Sequence, residues 1–212
     1  MNKNKPTIIT ITGPSLSGKS TLEQYLSERE IVGKATSVTT RPMRHGEKDG
    51  ESYFFITPEQ MAKLQKDNLL VEHIVFDKNQ YGVSKEEVLK KAEQSGVVSI
   101  VAAPDGVRQI KAYAEQEGWN CLRVFVCNPD NVLKERFDAR FSNDKLANPD
   151  VYQNRWNSMK TVEKQWREEM KDAELFFEQF DDTTKEEVIQ SITQALFQMK
   201  TTATPKRSCV HK

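Results

Sequence analysis

Three kinds of feature are scarce or missing in this chain of 212 residues, and each absence argues against a class of protein. No apolar run approaches the roughly 20 residues that a membrane-spanning helix needs. Three cysteines cannot form a disulfide framework, and their spacing matches no metal site. Lysine plus arginine and aspartate plus glutamate each total 31, so the chain has no net charge to attract nucleic acid or an anionic membrane.

These absences favour a protein of the reducing cytoplasm. Cys121 and Cys127 lie six residues apart on one face of a predicted strand, where we interpret them as buried thiols. Residues 1–6 lead directly into the first predicted strand and lack the apolar segment of a signal peptide. We therefore expect small-molecule partners, with no nucleic acid and no membrane, and the sequence leaves open a monomer or a homodimer.

The most informative segment that is present is residues 8–21, where an apolar β-branched run leads into G-x-x-x-x-G-K-S and then into a helical pattern. This strand–turn–helix context is the one that a phosphate-binding P-loop requires. Backbone N–H groups of such a turn converge on an anion, and the start of the helix adds its positive dipole end. A plain Gly/Ser turn is the alternative, and the complete set of strand, glycines, lysine and serine argues against it.

The residues of this motif have separate predicted roles. Gly13 and Gly18 permit backbone conformations that a Cβ would penalise. Lys19 can reach the β- and γ-phosphates of a nucleoside triphosphate, and the Ser20 hydroxyl can bind Mg²⁺ as the cofactor. The predicted ATP-binding residues are Gly13, Ser15, Ser17, Gly18, Lys19, Ser20 and Thr21.

Strands and helices alternate along the chain, which predicts an α/β fold with a parallel sheet. Strands are predicted at 7–12, 52–56, 69–76, 97–102, 121–126 and 175–180. Helices are predicted at 18–30, 57–67, 84–94, 105–117, 129–142, 150–171 and 184–199. Thr57 and Ser84 are expected N-caps, Ser84 in a capping box with Glu87, and residues 201–212 are expected to form a flexible tail.

A second group of phosphate-binding side chains follows the motif. Arg41 and Arg44 lie three residues apart in a turn-rich segment, and an arginine fork can hold a phosphate through two hydrogen bonds. Tyr53 and Tyr81 each add a neutral phenolic donor. Any one of these residues alone is better explained as a surface arginine or a packed tyrosine, but their number in one region predicts a second phosphate site, as a phosphotransferase needs.

Together these segments resemble the guanylate kinase family. The resemblance rests on residues 13–21, on the string S-x-T-T-R-x-x-R-x-G-E-x-x-G-x-x-Y-x-F at 37–55, and on Tyr81-Gly82. In element order it extends over about residues 7–195, and it is most specific at 37–55. The resemblance implies a three-layer P-loop core with an inserted subdomain for the nucleoside monophosphate and a small lid. The implied bounds are 1–36, 83–136 and 151–200 for the core, 37–82 for the insert and 137–150 for the lid.

The resemblance also implies roles for single residues. Four side chains match those that hold the phosphate of the monophosphate: Arg41, Arg44, Tyr53 and Tyr81. Ser37 and Glu72 match residues that hydrogen-bond the guanine edge, where a carboxylate accepts from adjacent ring N–H and amino donors. Four cations match those that stabilise charge on the migrating phosphoryl group: Lys19, Arg136, Arg140 and Arg155. As an alternative, Arg136 and Arg140 form a basic stripe one turn apart on an exposed helix.

The chain departs from the family pattern in two places. Val101 and Ala103 stand where the family strand carries aspartates, one facing Mg²⁺ and one near the base, and neither can replace them. Asp105 follows at the start of a helix, where we favour a role as helix N-cap over a role in the missing acidic site. The interval between Arg140 and Arg155 is also longer than the family pattern.

The leading hypothesis is ATP-dependent phosphorylation of GMP or dGMP to the diphosphate. Because losing a base-edge acceptor loosens the choice of base, a modified or other deoxynucleoside monophosphate stays open as the acceptor. A non-catalytic guanylate-kinase-like binding domain is a second alternative, against which the intact Gly18-Lys19-Ser20 argues. A sugar bisphosphate kinase is a third, and the base-reading pair Ser37 and Glu72 counts against it.

Overall fold

Strands and helices alternate along residues 5–44, 46–76 and 78–202, the parts of the chain that a computed structural model describes. The elements in chain order are β1 (Thr7–Thr12), α1 (Lys19–Glu28), β2 (Gly33–Lys34), β3 (Val38–Thr39), β4 (Phe54–Phe55), α2 (Pro58–Lys66), β5 (Leu70–Phe76), β6 (Asn79–Ser84), α3 (Lys85–Ser95), β7 (Val97–Val101), α4 (Pro104–Glu117), β8 (Asn120–Val126), α5 (Asp130–Arg140), α6 (Ser142–Ala147), α7 (Pro149–Glu169), β9 (Leu175–Phe177) and α8 (Lys185–Thr202). Most of the predicted tail, residues 203–212, lies outside this part of the chain.

A parallel sheet in the order β2-β7-β1-β8-β9 forms the centre of the fold. The strand β1 is buried along its whole length because it pairs with β7 on one side and with β8 on the other. One face of the sheet packs against α4 through Val107 and Ile110, and the other packs against α1 and α8 through Leu22 and Ile192. These helix, sheet and helix layers confirm the predicted α/β fold. No helix in the described residues is both long enough and apolar enough to cross a membrane.

A second sheet is inserted in the chain between β2 and α3. Its order is β4-β3-β6-β5, with β3 antiparallel to β6, β6 antiparallel to β5, and β3 parallel to β4. The strand β5 packs on α4, where the Gln109 side chain donates to the His73 carbonyl oxygen and accepts from the His73 N–H, both at 3.0 Å. The insert is therefore attached to the central sheet through α4 as well as through its two chain connections.

The two expected N-caps are present, but the capping box predicted at Ser84 is not. Thr57 caps α2 in a complete box with Gln60, and the Ser84 hydroxyl accepts from the N–H of Glu87 at 3.1 Å. A capping box would require the Glu87 carboxylate to accept from the backbone N–H of Ser84. The carboxylate accepts instead from the N–H of Thr36 at 3.2 Å. This contact joins the residue that enters the insert to the helix that leaves it.

Three sequence predictions need correction. Asp105 is not the N-cap of α4, because Ala103 occupies that position and Pro104 is the first helical residue. The exposed Asp105 side chain instead pairs with Arg108 one turn later. Cys127 faces the same core cluster as Cys121, but it lies one residue beyond the end of β8. The short elements β2, β3, β6 and α6 were not predicted at all.

Candidate active site

The loop between β1 and α1, residues 13–18, depends on its two glycines for steric reasons. A Cβ at Gly13 would lie 1.9 Å from the carbonyl oxygen of Val126. Gly18 has a φ of 97°, in the left-handed region, and a Cβ there would lie 2.6 Å from Cδ1 of Phe180. Both glycines are thus required by close approach of neighbouring elements, as well as by the backbone conformation at Gly18.

Two side chains hold this loop in place, that of Asn128 shortly before α5 and that of Arg136 within α5. The buried Asn128 amide donates to the Ser17 carbonyl oxygen at 2.9 Å and accepts from the N–H of Phe180 at 3.0 Å. The Arg136 guanidinium donates to the carbonyl oxygens of Leu16, at 3.0 Å, and of Phe180, at 3.2 Å. Asn128 and Arg136 therefore fix the loop through its backbone carbonyls and not through the N–H groups that an anion would need. Sequence reasoning missed Asn128, whose only signal is a polar residue just beyond a buried strand.

A cavity of 550 Å³ opens over this loop and the first turn of α1. It is lined by Leu16, Gly18, Lys19, Ser20, Thr21, Tyr25, Arg136, Arg140, Phe180, Asp181, Asp182 and Lys185. Six of these residues were predicted from the sequence, whereas Tyr25 and the segment after β9 were not. The Lys19 ammonium donates to the carbonyl oxygen of Pro14 at 2.5 Å, so it lies folded over the loop.

The remaining predicted residues of the loop differ in exposure. Ser15 is exposed, but Ser17 is fully buried and its hydroxyl has no hydrogen-bond partner among the described residues. The N–H of Ser17 donates to the Pro14 carbonyl oxygen at 3.3 Å. Ser20 is exposed at the start of α1, where its hydroxyl is accessible to a hydrated cation.

On the inserted sheet, three of the four residues predicted to hold the acceptor phosphate come together. The Arg41 guanidinium lies 4.9 Å from the ring centroid of Tyr53, whose ring centroid is 6.1 Å from that of Tyr81. We call these three residues the Arg41 group. Arg41 is 6% exposed and pairs with both carboxylate oxygens of Glu47, at 2.7 and 2.5 Å. The hydrogen bond from Arg41 lowers the pKa of Glu47 to about 2. Arg44 is exposed beside the group, and its N–H donates to Glu47 at 2.8 Å.

Glu72 is a buried carboxyl at the contact between the insert and the central sheet. It is 5% exposed, and its Oε2 has no hydrogen-bond partner among the described residues. Burial raises the pKa of Glu72 to about 8. The carboxyl approaches α4 so closely that a Cβ at Gly106 would lie 3.0 Å from Oε2. Ser37, the other predicted base contact, is half-buried and precedes β3, and its carbonyl oxygen accepts from Phe54 at 2.9 Å.

Arg140 and Arg155 lie on either side of one aromatic ring. Their guanidinium carbons are 5.8 and 4.6 Å from the ring centroid of Phe141, between α5 and α6. Arg140 also lines the cavity over the loop, whereas Arg155 does not. The structure therefore brings Lys19, Arg136 and Arg140 to one cavity and leaves Arg155 at its edge, beside the predicted lid.

No carboxylate stands at the end of β7. Val101 packs in the core on the α1 face of the sheet, and Ala103 is the N-cap of α4. A buried carboxyl that sequence reasoning missed is Glu23 in α1, which accepts from the Ser99 hydroxyl at 2.9 Å and lies 3.7 Å from Lys34. Burial raises the pKa of Glu23 to about 7. The described residues contain no group of three His, Cys, Asp or Glu side chains that could hold a metal ion.

The loop and the insert together define the class of protein. A glycine-rich loop that carries a lysine into the first helix of a parallel α/β sheet, with a second arginine-bearing site on an inserted sheet, is typical of a P-loop nucleoside monophosphate kinase. The family model described as guanylate kinase matches residues 3–199. The chain belongs to the guanylate kinase family.

Several bacterial relatives are similar over most of the chain. The guanylate kinase of Synechocystis sp. is 36% identical over 145 residues, which cover 68% of this chain and 74% of the relative. That of Rickettsia bellii is 34% identical over 149 residues, which cover 69% and 76%. The crystal structure of guanylate kinase from Anaplasma phagocytophilum matches the fold with a TM-score of 0.67 and 20% identity, over 93% of this chain and 88% of the other.

Proposed function

We propose that the protein transfers the γ-phosphoryl group of ATP to GMP or dGMP, giving ADP and the nucleoside diphosphate. The observation that carries this proposal is the presence of two separate anion sites, one on each sheet. The β1–α1 loop with Lys19 offers backbone donors and a cation for the donor. The Arg41 group offers a buried guanidinium and two phenols for the acceptor. Transfer between two such sites needs positioning and charge stabilisation more than covalent chemistry.

On the donor side, ATP lies along residues 13–21 in the cavity over the loop. Gly13 and Gly18 allow the backbone N–H groups to approach the phosphates, and Thr21 lines the same cavity. The exposed Ser15 and the buried Ser17 contribute to the loop that surrounds the phosphates. Mg²⁺, when bound, neutralises charge on the transferring phosphates. Ser20 would hold the cation through its hydroxyl.

Four cations stabilise the phosphoryl group in transit: Lys19, Arg136, Arg140 and Arg155. Arg136 is fixed by its bonds to the carbonyl oxygens of Leu16 and Phe180, so it is preorganised beside the phosphates. Arg140 belongs to the lid, residues 137–150, and contacts Phe141 together with Arg155, which lies just beyond the lid in α7. Closure of that lid and of the insert, residues 37–82, onto the core would exclude water from the transfer.

On the acceptor side, the monophosphate replaces Glu47 as the partner of Arg41, and Arg44, Tyr53 and Tyr81 complete the phosphate contacts. Ser37 and Glu72 hold the guanine edge. A buried carboxyl oxygen without a partner is costly in the free protein, and the two donors of guanine would stabilise the ionised carboxylate, which accepts at both oxygens. This gain of hydrogen-bond donors for Glu72 favours a purine that offers a ring N–H and an amino group side by side.

The loss of acids at the end of β7 favours a second candidate for the acceptor. With Val101 and Ala103 in place of hydrogen-bond acceptors, fewer groups on the protein select the base. A modified or other deoxynucleoside monophosphate is therefore the alternative substrate of the same reaction. We place the reaction in the cytoplasm and leave the oligomeric state as monomer or homodimer.

The test is a coupled assay of ADP release with each ribo- and deoxynucleoside monophosphate, with and without Mg²⁺. The proposal expects the fastest release with GMP or dGMP and no release above ATP hydrolysis without Mg²⁺. Arg44→Ala is expected to lower turnover severely. An active protein that prefers another monophosphate would select the second candidate, and one that transfers to none of them would contradict the proposed function.

A further inference from the structure

A second cavity, of 860 Å³, opens beside the β1–α1 loop and shares Pro14 and Asn128 with the site described above. Pro14 of the loop and Asn128 form one wall, and α7 forms the other with Lys160 and Lys164. The cavity meets the donor site directly, because the carbonyl oxygen of Pro14 accepts from the Lys19 ammonium at 2.5 Å. A side chain of α7 that projects into this space therefore approaches the loop from the side of Pro14.

This cavity lies on the side of the central sheet to which the insert is attached. Its floor is formed by Phe125 and Cys127, which belong to the core cluster shared with α4. The wall-forming helix α7 contacts α4 through the Glu169–Arg108 ion pair, at 3.0 Å. It also contacts β5, where the rings of Phe76 and Trp166 are 6.1 Å apart. The helix thus borders both the donor loop and the sheet that carries the Arg41 group.

Lys160 is held in this cavity by a partner that it can exchange. Its ammonium pairs with the carboxylate of Asp130, and the two side chains are 32% and 77% exposed. An ion pair with so exposed a carboxylate contributes little to stability, typically about 0–1 kcal/mol. A phosphoryl group in transfer carries more negative charge than a carboxylate and lies in a site that closure dries, so it competes well for the same ammonium.

We propose that Lys160 is a further catalytic residue, whose ammonium leaves Asp130 and contacts the phosphoryl group during transfer. This inference rests on the proposed function. In the step, the bond from the γ-phosphorus to the bridging oxygen of ATP breaks and a bond to an acceptor phosphate oxygen forms. The bonding electrons leave with ADP, no proton moves, and the three equatorial oxygens carry the charge that Lys160 stabilises. Lys160 acts from α7, which also carries Arg155, whereas Arg140 lies in α5.

The test compares steady-state kinetics of five forms of the protein in the ADP-release assay. Lys160→Met keeps the aliphatic stem near Trp156 and removes the charge; Lys160→Arg restores a cation; and Asp130→Asn frees Lys160 without removing it. Lys171→Met is the matched control, because Lys171 follows α7, pairs with Glu168 and does not line the cavity. Thermal unfolding verifies that each variant is folded.

We expect Lys160→Met to lower kcat about 100-fold with little change in either KM, and Lys160→Arg to recover at least about 10-fold of that loss. Asp130→Asn and Lys171→Met should stay within about 3-fold of the wild type. The inference is overturned if Lys160→Met keeps the wild-type kcat, or if Asp130→Asn loses as much as Lys160→Met, because the ion pair would then be structural. A wild type without transfer to any monophosphate would overturn the proposed function itself, which is a distinguishable outcome.

Discussion

The two proposed anion sites of this protein are built in opposite ways. The β1–α1 loop is contiguous in sequence, and its shape is fixed by backbone hydrogen bonds to Asn128 and Arg136. The Arg41 group is assembled from side chains far apart in sequence, Arg41 after β3, Tyr53 before β4 and Tyr81 in β6. On the same sheet, the buried Oε2 of Glu72 has no hydrogen-bond partner among the described residues. The backbone of the loop is held in place before any ligand arrives, although the buried Ser17 hydroxyl has no partner among the described residues. The insert differs because its unpartnered group is a carboxyl oxygen of Glu72, which costs more to bury than a hydroxyl.

The largest effect in a test of this comparison is expected from removing the positive charge of Lys19 from the loop. Lys19→Met should lower kcat with GMP by about 1000-fold or more, because the ammonium is the cation closest to the phosphates that the backbone holds. The free energy of unfolding should change by less than about 1 kcal/mol, since Lys19 is only partly buried. Kinetics of ADP release and denaturant unfolding measure both quantities. Lys66→Met, in the last turn of α2, is the matched control, and equal activity of the two variants would refute the role of Lys19.

The second prediction concerns the acceptor side. Glu72→Gln should raise the KM for GMP by about 100-fold, because an amide can accept only one of the two donors of the guanine edge and places its own NH₂ against the other. The exposed Glu93→Gln in α3 is the control. If both variants bind GMP as the wild type does, Glu72 does not contact the base.

The pH dependence of the same variant sharpens the comparison. Because the pKa of Glu72 is raised from 4.5 to about 8 on folding, the folded state binds more protons than the unfolded state between these values. The contribution of Glu72 to the free energy of unfolding is therefore fully present below about pH 4.5 and is lost as the pH rises towards 8. Relative to the wild type, Glu72→Gln should gain roughly 3 kcal/mol of unfolding free energy between pH 5 and pH 8. Urea unfolding across this range measures the gain, and a constant difference would contradict the raised pKa.

The smallest expected effect comes from a substitution that affects the loop. It lowers the free energy of unfolding, whereas Glu72→Gln raises it relative to the wild type. Asn128→Ala leaves the Ser17 carbonyl and the Phe180 N–H without their partner, which should cost about 1–3 kcal/mol of unfolding free energy at any pH. Turnover should fall about 10-fold as the loop loosens. Asn157→Ala, on the exposed face of α7, is the control for the substitution type. A variant that is more stable than the wild type would remove the contrast between the two sites.

Much of the central sheet could be predicted from the sequence because its signals are local. The strand β1 is a continuous apolar run, Gly18 marks the start of α1, and Thr57 with Pro58 marks the start of α2. The phosphate-binding role of the glycines and the lysine depends on a few residues that are neighbours in sequence. The sequence pattern was therefore sufficient to predict that Lys19 and Ser20 share one cavity.

The parts that the sequence could not predict depend on partners distant along the chain. Glu87 satisfies the pattern of a capping box, but its carboxylate binds Thr36, 51 residues away. Strands of two residues, such as β2 and β3, are too short to have a period. Pro104 is the first residue of α4, so Asp105 is the second helical residue and does not occupy the N-cap position that its side chain would suit. Asn128 acquires its role only from the loop after β9.

The bond from Thr36 to Glu87 and the paired bonds between His73 and Gln109 fix the inserted sheet at two separate points. A rigid body that is pinned at two points keeps one rotation, about the line that joins the pins. Parts of the body near that line hardly move, and displacement grows with distance from it. Glu72, adjacent to His73, thus stays almost stationary in any such swing, while the far edge at β4 travels the most.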